Sequence, residues 1–294
     1  MNTTLGRGWF RWVLFGLVAA YVALPVVAAA LYSVTTAWTG NDGRVLPDGY
    51  TLHWWAGLVS DQRLIAAIGR SLLVAGLAVL IVATLVLPPL YWSYVRNPRL
   101  RTLMSTVALI PFALPFVVMA FGIKDITAHL PLVSDYSASW QLVVVGHVAL
   151  CFPFFLWPVD SAMAAAGVPR LHEAAQVSGA NAVTTLFRVV IPNIRTGILT
   201  GSILVFAISF GEYSIARVIT GTSFETVPVW QVQLTPVNGG GNPNGVAVMS
   251  VLTFVLFFAV SLFAALSRDK AGGGRTAPQT LPGATTTAST QGGR

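Results

Sequence analysis

Charged residues are scarce in this sequence. Only 9% of its 294 residues are Asp, Glu, Lys or Arg, whereas soluble domains carry about 25%. Hydrophobic residues make up 55% of the chain, and the mean hydropathy is +0.72. A soluble fold of this length would need a more polar surface, so the composition predicts a protein whose main solvent is lipid.

Cysteine is rare in this sequence, and the common nucleotide-binding loop is absent from it. Cys151 is the single cysteine, which excludes an intrachain disulfide and leaves the redox compartment open. No stretch matches G-x-x-x-x-G-K-[ST], the loop whose backbone cradles nucleotide phosphates. The chain is therefore not expected to hold ATP by that means.

Acidic residues are fewer than basic ones, and the formal net charge is +7. This excess does not indicate a nucleic-acid partner, because the basic residues form short clusters beside apolar runs. Lys and Arg near the ends of membrane helices favour the cytoplasmic side. With six spans and an inner N-terminus, 12 of the 17 basic residues lie inside. We therefore predict a multi-pass protein of the bacterial plasma (inner) membrane with both termini in the cytoplasm.

Six apolar runs approach the length of about 20 residues that a membrane-spanning helix needs. They cover residues 9–32, 71–92, 103–122, 140–159, 198–210 (extending to 215) and 246–266. The first run could also be a signal peptide, since Arg7 and Arg11 stand at its start and three alanines stand near its end. Its apolar stretch is longer than the usual 7–15 residues, which favours a retained helix.

The predicted cytoplasmic loop, residues 162–195, reads as a helical hairpin. Pro169 suits a first helical turn, Gly179 suits a helix end, and Asn181 suits the cap of a second helix. That second helix is predicted to end before Pro192. The first helix carries a stripe of mostly small residues, Leu171, Ala174, Ala175 and Ser178. This stripe favours docking on a partner protein; the alternative is a hairpin resting on lipid headgroups.

The same loop resembles the EAA loop of membrane subunits of ABC importers. That motif reads E-A-A, three residues, G, nine residues, then I-x-L-P. Here Glu173, Ala174 and Ala175 are followed by Gly179 and, after nine residues, by V-V-I-P ending at Pro192. Valine and isoleucine replace the usual isoleucine and leucine. The resemblance extends over residues 65–266.

The resemblance implies an all-α, six-span type I permease fold in which the loop is a coupling helix. Glu173, Ala174, Ala175, Gly179 and Pro192 would then contact an ATPase. Implied partners are two ATP-binding subunits, a second permease subunit (identical or homologous) and an extracytoplasmic solute-binding protein. No cofactor is expected in this chain, since ATP and magnesium would be held by the ATPase. Weaker similarities in the third and fourth spans resemble the subgroup of these permeases that transports polyamines, phosphonates, iron and related small solutes.

Ionisable residues inside predicted spans are functional candidates. His147 and Cys151 lie four apart on one helical face and could be a metal pair, although a packed, hydrogen-bonded histidine is favoured. Asp160 lies where the fourth span meets the cytoplasm, and its role stays open.

Glu212 lies at the outer end of the fifth span, close to Phe210 and Tyr213. If these three residues line the solute path, they favour a cationic amine. The alternative is an ion pair of Glu212 with Arg217.

The chain divides into an N-terminal helix and outer loop (1–64), a permease core (65–266) and a disordered tail (267–294). The outer segment 237–245 is predicted to be a connection between the last two spans. An intramembrane enzyme would need a nucleophile placed beside a base, and a secondary transporter would leave the EAA spacing unexplained. The sequence therefore favours the permease.

Overall fold

A computed structural model describes residues 5–36, 47–235 and 241–272. Within these ranges the chain is helical and forms no β-strand beyond an isolated bridge between Thr35 and Tyr50. The α-helices are α1 (Leu5–Tyr32), α2 (His53–Ser60), α3 (Gln62–Val95), α4 (Pro98–Val107), α5 (Ile110–Ala113), α6 (Phe116–His129), α7 (Trp140–Ala166), α8 (Val168–Val177), α9 (Ala182–Thr185), α10 (Ile191–Asn193), α11 (Arg195–Gly211), α12 (Ser214–Thr220), α13 (Val227–Gln233) and α14 (Pro243–Gly272).

Three of the predicted spans lie in single long helices. Trp9–Tyr32 within α1, all of α3 and all of α7 have 24, 34 and 27 residues, and each is long and apolar enough to cross a membrane. At 1.5 Å per residue, about 20 residues suffice for the hydrocarbon core. These three spans agree with the predicted runs.

The third predicted span is not one helix. The chain bends by 106° between Pro98–Ala113 and Phe116–His129. Leu114 is extended at the break, with φ −118° and ψ 134°, because the residue before Pro115 is disfavoured in helical geometry. The prediction of one helix over residues 103–122 is therefore wrong. It did not treat Pro111 and Pro115 as possible breaks in the helix.

The fifth predicted span is also interrupted. Helix α11 ends at Gly211, and Glu212 is extended before α12 starts at Ser214. The predicted helical extension to residue 215 is therefore wrong. At the other end, α11 is bent by 78° from the segment Ala182–Asn193.

The sixth apolar run lies inside α14, whose helix continues to Gly272. Residues 267–272, which the prediction placed in a disordered tail, are thus the end of this helix, and residues 273–294 lie outside the described ranges. Part of the predicted connection 237–245 is also outside them. The count of six spans and the division at residues 64 and 266 stay predictions.

The centre of the fold is the packing of α3, α7 and α11. Gly197 and Gly201 face α7 from α11, and neither position has room for a side chain. A Cβ on Gly197 would overlap Ala162 Cβ and lie 2.8 Å from the Pro158 carbonyl oxygen, while one on Gly201 would lie 3.0 Å from Phe155 Cδ2. Small residues four apart allow such close helix contact in membranes.

A second apolar cluster joins α2, α3, α11, α13 and α14 near the N-terminal end of α3. Arg63 extends this region with a 2.7 Å ion pair to Glu225. Helix α1 packs on α14 and is otherwise largely exposed. The Asn244 side chain secures the end of α1 by donating to the carbonyl oxygens of Tyr32 and Thr35 at 2.9 and 3.0 Å.

Candidate functional site

The EAA segment forms a hairpin between α7 and α11. Helix α8 begins after Gly167, which has φ 63°, and carries Pro169 in its first turn. It ends at Val177, and Gly179, two residues further on, has φ 80°. The Gly179 N–H donates to the Gln176 carbonyl at 2.9 Å and the Ala180 N–H donates to the Ala175 carbonyl at 3.0 Å. These paired bonds define a Schellman stop, which needs a left-handed residue and explains the glycine.

The second arm of the hairpin starts as the sequence predicts and ends later. Asn181 caps α9 by accepting from the Thr184 N–H at 2.8 Å. The helix then widens into a π turn, Leu186–Val190, and continues as α10 to Asn193. The predicted end before Pro192 is wrong. The wider turn allows the Ile191 N–H to donate to the Leu186 carbonyl, and the proline follows in the first turn of α10.

The predicted small-residue stripe is divided between two faces of α8. Ala174 and Ser178 are exposed, whereas Ala175 is only 9% exposed. Ala175 lies on the side of α8 that is buried within this subunit, together with Val168 and His172. The prediction of one exposed docking face is therefore corrected, because α3 covers part of it.

The exposed side of the hairpin carries Glu173 and several apolar side chains. Val177 is 91% exposed, Val183 is 66% exposed and Phe187 is 62% exposed. Pro192, at the end of the EAA motif, is exposed as well. Beside Glu173 lies an open cavity of about 230 Å³ that Arg96 and other polar groups line.

A buried polar contact lies behind this surface, and the sequence analysis did not identify it. The Tyr91 hydroxyl lies 2.6 Å from His172 Nδ1. The sequence did contain an indication that His172 is buried. His172 lies four residues after Val168 and three before Ala175, which is the spacing of one face of a helix.

Asp160 is held by two side chains at the end of α7 that is nearer the hairpin. Arg101 donates to both of its carboxylate oxygens, at 2.8 and 2.9 Å. The Tyr94 hydroxyl donates to Oδ1 at 2.8 Å, and the Arg101 guanidinium lies 4.9 Å above the Tyr94 ring. The carboxylate thus joins α3, α4 and α7, which fits a structural role.

His147 is a packed histidine that is bonded to a neighbouring helix, as the favoured interpretation predicts. It is fully buried, and its Nδ1 lies 2.7 Å from the Ser209 hydroxyl of α11. Cys151 is also buried, with its thiol 3.8 Å from the Val205 carbonyl. Within the described ranges no group of three His, Cys, Asp or Glu side chains could hold a metal ion. Ser209 had no distinguishing signal in the sequence beyond being polar inside a span.

Glu212 lies inside the fold at the break between α11 and α12. Its two oxygens accept from the Ser214 and Ile215 backbone N–H groups at 2.7 and 2.8 Å. His147 Nε2 lies 3.5 Å from Oε2, and the carboxylate side chain is 5% exposed. Arg217 is exposed, and the described structure contains no ion pair between it and Glu212. The carboxylate therefore stabilises the bend in this conformation, and its place on a solute path stays a prediction.

The two aromatic residues beside Glu212 point to different clusters. Phe210 is 2% exposed and packs against Phe206 and Phe257, with ring centroids 5.8 and 5.9 Å apart. Tyr213 is half-buried against the main core. Phe210 and Tyr213 therefore pack in different clusters, and their place on a solute path stays a prediction.

Comparison with known protein families identifies the class to which this helical membrane protein belongs. The family of binding-protein-dependent transport system inner membrane components matches residues 85–271, so the chain belongs to that family. It is a permease of the ABC-transporter type.

Two relatives and one solved structure are similar to this chain. It is 25% identical to the spermidine/putrescine transport system permease protein PotC of Escherichia coli (strain K12) over 271 residues, covering 91% of this chain and 96% of that protein. It is 29% identical to the molybdenum transport system permease protein ModB of Azotobacter vinelandii over 180 residues, covering 58% of this chain and 79% of ModB.

The fold is similar to that in the crystal structure of a bacterial ABC transporter involved in the import of the acidic polysaccharide alginate. The TM-score is 0.67 at 16% sequence identity, and the match covers 90% of this chain and 98% of the other. A match at that identity shows the fold alone. The three proteins are named for chemically different solutes, so membership of the class does not identify the cargo.

Proposed function

We propose that this chain is the membrane-spanning subunit of an importer and that its EAA hairpin couples solute movement to ATP hydrolysis in a separate subunit. The observation that carries the proposal is the geometry of the hairpin that runs from α8 to α10. It is fixed by Gly179 and Asn181, yet it leaves Glu173 and Val177 exposed. An exposed hairpin with fixed ends is suited to docking in a groove of another protein and to transmitting a displacement from it.

The exposed chemistry suits a protein groove better than a lipid surface. Lipid-surface helices combine a bulky apolar face with a lysine- and arginine-rich face. Helix α8 exposes one large apolar side chain, Val177, beside Glu173, Ala174 and Gln176, and the small alanine allows close approach of another backbone. Glu173 offers a carboxylate to a basic group on the ATPase subunit.

The proposed assembly is the one that membership of the importer family implies. This chain would pair with two ATP-binding subunits, and closing these subunits would move two hairpins. A second permease, identical or homologous, supplies the second hairpin. A solute-binding protein delivers cargo at the extracytoplasmic face. ATP and magnesium belong to the ATPase subunits in this scheme.

We propose a small cationic amine as the first cargo to test. The support is the similarity to PotC, whose name specifies spermidine and putrescine, over nearly the whole chain. An uptake assay with radiolabelled putrescine, molybdate and trehalose separates a cation, an anion and a neutral sugar.

The coupling role is tested with Glu173→Arg in the complete transporter reconstituted in liposomes. We expect the variant to insert normally but to lose ATPase association or ATP-driven uptake by at least about tenfold, because a charge reversal at a protein interface costs several kcal/mol. Gly179→Val should act similarly, since its φ of 80° strains a β-branched residue.

Gly179→Asn is the matched control, because asparagine tolerates the left-handed conformation. Normal ATPase recruitment and normal uptake in both Glu173→Arg and Gly179→Val would contradict the coupling role.

A further inference from the structure

Helix α3 lies against the EAA hairpin without being joined to it along the chain. The hairpin continues directly into α7 through Gly167 and into α11 through Ile194. Helix α3 packs against α8. A displacement of the hairpin therefore reaches α7 and α11 through the backbone, whereas it reaches α3 through packing and through side-chain contacts.

The Tyr91 hydroxyl makes such a contact across 81 positions of sequence. It lies 2.6 Å from His172 Nδ1, and the two rings meet edge to face at 5.7 Å between centroids. Tyr91 is 3% exposed and His172 is 5% exposed. Because water has little access to either group, breaking this bond would leave two buried polar atoms without partners. The bond therefore holds α8 in one position relative to α3.

The contact lies directly behind the proposed docking surface. His172 precedes Glu173 in the chain, and His172 faces inward where Glu173 faces outward. A force applied to Glu173 from outside is therefore passed to the residue that is bonded to α3. Helix α3 has 34 residues and packs against both α7 and α11, so it can carry that displacement into the membrane.

We propose that Tyr91 is a positioning residue of the transport cycle: its hydroxyl, bonded to His172, makes α3 move together with the EAA hairpin. This inference rests on the proposed coupling function of the hairpin. It adds a noncovalent connection through which α3 moves with the ATPase. This connection supplements the backbone that joins the hairpin to α7 and α11.

The test measures distances by double electron–electron resonance in the full transporter. One spin-label pair joins the hairpin to α3, at Val177→Cys and Leu85→Cys, which are 91% and 53% exposed. A reference pair within the hairpin uses Val177→Cys and Val183→Cys. Cys151→Ser removes the native thiol. Distances are recorded without nucleotide and with ATP under conditions that block hydrolysis.

In the parent we expect the hairpin-to-α3 distance to stay narrow and unchanged by ATP, because both segments move together. In Tyr91→Phe the distribution should broaden and shift on ATP binding, while the reference pair within the hairpin stays unchanged. His172→Phe should give the same result. The double variant should be no worse than either single one, since both remove the same bond.

Tyr94→Phe is the matched control. It removes a hydroxyl from the same helix, but that hydroxyl bonds to Asp160 of α7 instead of the hairpin. We expect its hairpin-to-α3 distances to match the parent. If Tyr91→Phe also matched the parent with and without ATP, or if Tyr94→Phe broadened the distribution equally, the proposal would be overturned.

Failure of the underlying function gives a different result. If the parent does not bind an ATPase subunit, the proposed coupling function fails. The distances of the permease alone still test the contact, because Tyr91→Phe should broaden the hairpin-to-α3 distribution without nucleotide.

Discussion

Glu212 illustrates how a single carboxylate can stabilise a break in a membrane helix. Where α11 ends, the next backbone N–H groups have no helical partners, and in lipid such groups are costly to leave unpaired. The Glu212 oxygens accept from two of them, at Ser214 and Ile215. Charge-assisted bonds of this kind are stronger than neutral ones.

Replacing Glu212 with Gln should destabilise the protein, because an amide offers a single accepting oxygen in place of two charged ones. We expect a loss of about 1–3 kcal/mol, measured as a lower thermal unfolding temperature in nanodiscs. Asp125→Asn is the control, since that carboxylate is 77% exposed. Unchanged stability combined with weaker uptake of a cationic solute would instead favour the solute-path interpretation.

Two adjacent alanines of the EAA motif have different surroundings, and this difference can be measured. Ala174→Leu adds volume on the exposed side of α8, so it should leave stability within about 0.5 kcal/mol. Ala175→Leu adds the same volume on the buried side, where overpacking costs about 1–3 kcal/mol. Thermal unfolding of the two variants separates the effects. Equal stabilities would show that α8 does not pack as described.

At the scale of helices, the contact between α7 and α11 depends on the absence of side chains. Gly197 and Gly201 follow the small-x-x-x-small pattern that brings membrane helices close together. Pro158 and Ala162 of α7 occupy the space beside Gly197. The pattern was readable in the sequence, but nothing there specified which helix would meet it.

Gly197→Val should therefore separate α11 from α7, since its Cβ would overlap Ala162 and approach the Pro158 carbonyl. We expect a loss of at least about 1–3 kcal/mol, measured by thermal unfolding, together with reduced accumulation in the membrane. Gly122→Ala on α6 is the control, because no atom lies within 4 Å of the added carbon. A fully stable Gly197→Val protein would contradict the close contact.

At the scale of the whole molecule, α7 separates two exposed segments. Leu132, which is 96% exposed, lies before α7, and Val177, which is 91% exposed, lies after it. The 27 residues of α7 are more than a bilayer requires. The distribution of Lys and Arg predicts that the Val177 side faces the cytoplasm.

Labelling of single cysteines with a membrane-impermeant thiol reagent tests this orientation in a Cys151→Ser background. Leu132→Cys should react in intact spheroplasts, whereas Val177→Cys should react only after permeabilisation. The parent Cys151 is fully buried and should stay unlabelled in the folded protein. Reaction of both introduced cysteines from the same side would contradict the topology.

The sequence by itself determined the class of protein and the position of the hairpin. Long apolar runs can be read directly because lipid demands about 20 residues of hydrocarbon for each span. Gly179 and Asn181 act through their own backbones, so their roles as helix stop and helix cap were predictable from residue type and spacing.

Only the tertiary structure decided which side of α8 is buried, where the third and fifth apolar runs break, and what Glu212 and His172 contact. Tyr91 and His172 lie 81 positions apart, and hydropathy contains no information about such pairings. In a chain so uniformly apolar, residue type shows which segments enter the membrane. Steric fit and hydrogen-bond partners from distant segments decide which faces meet there.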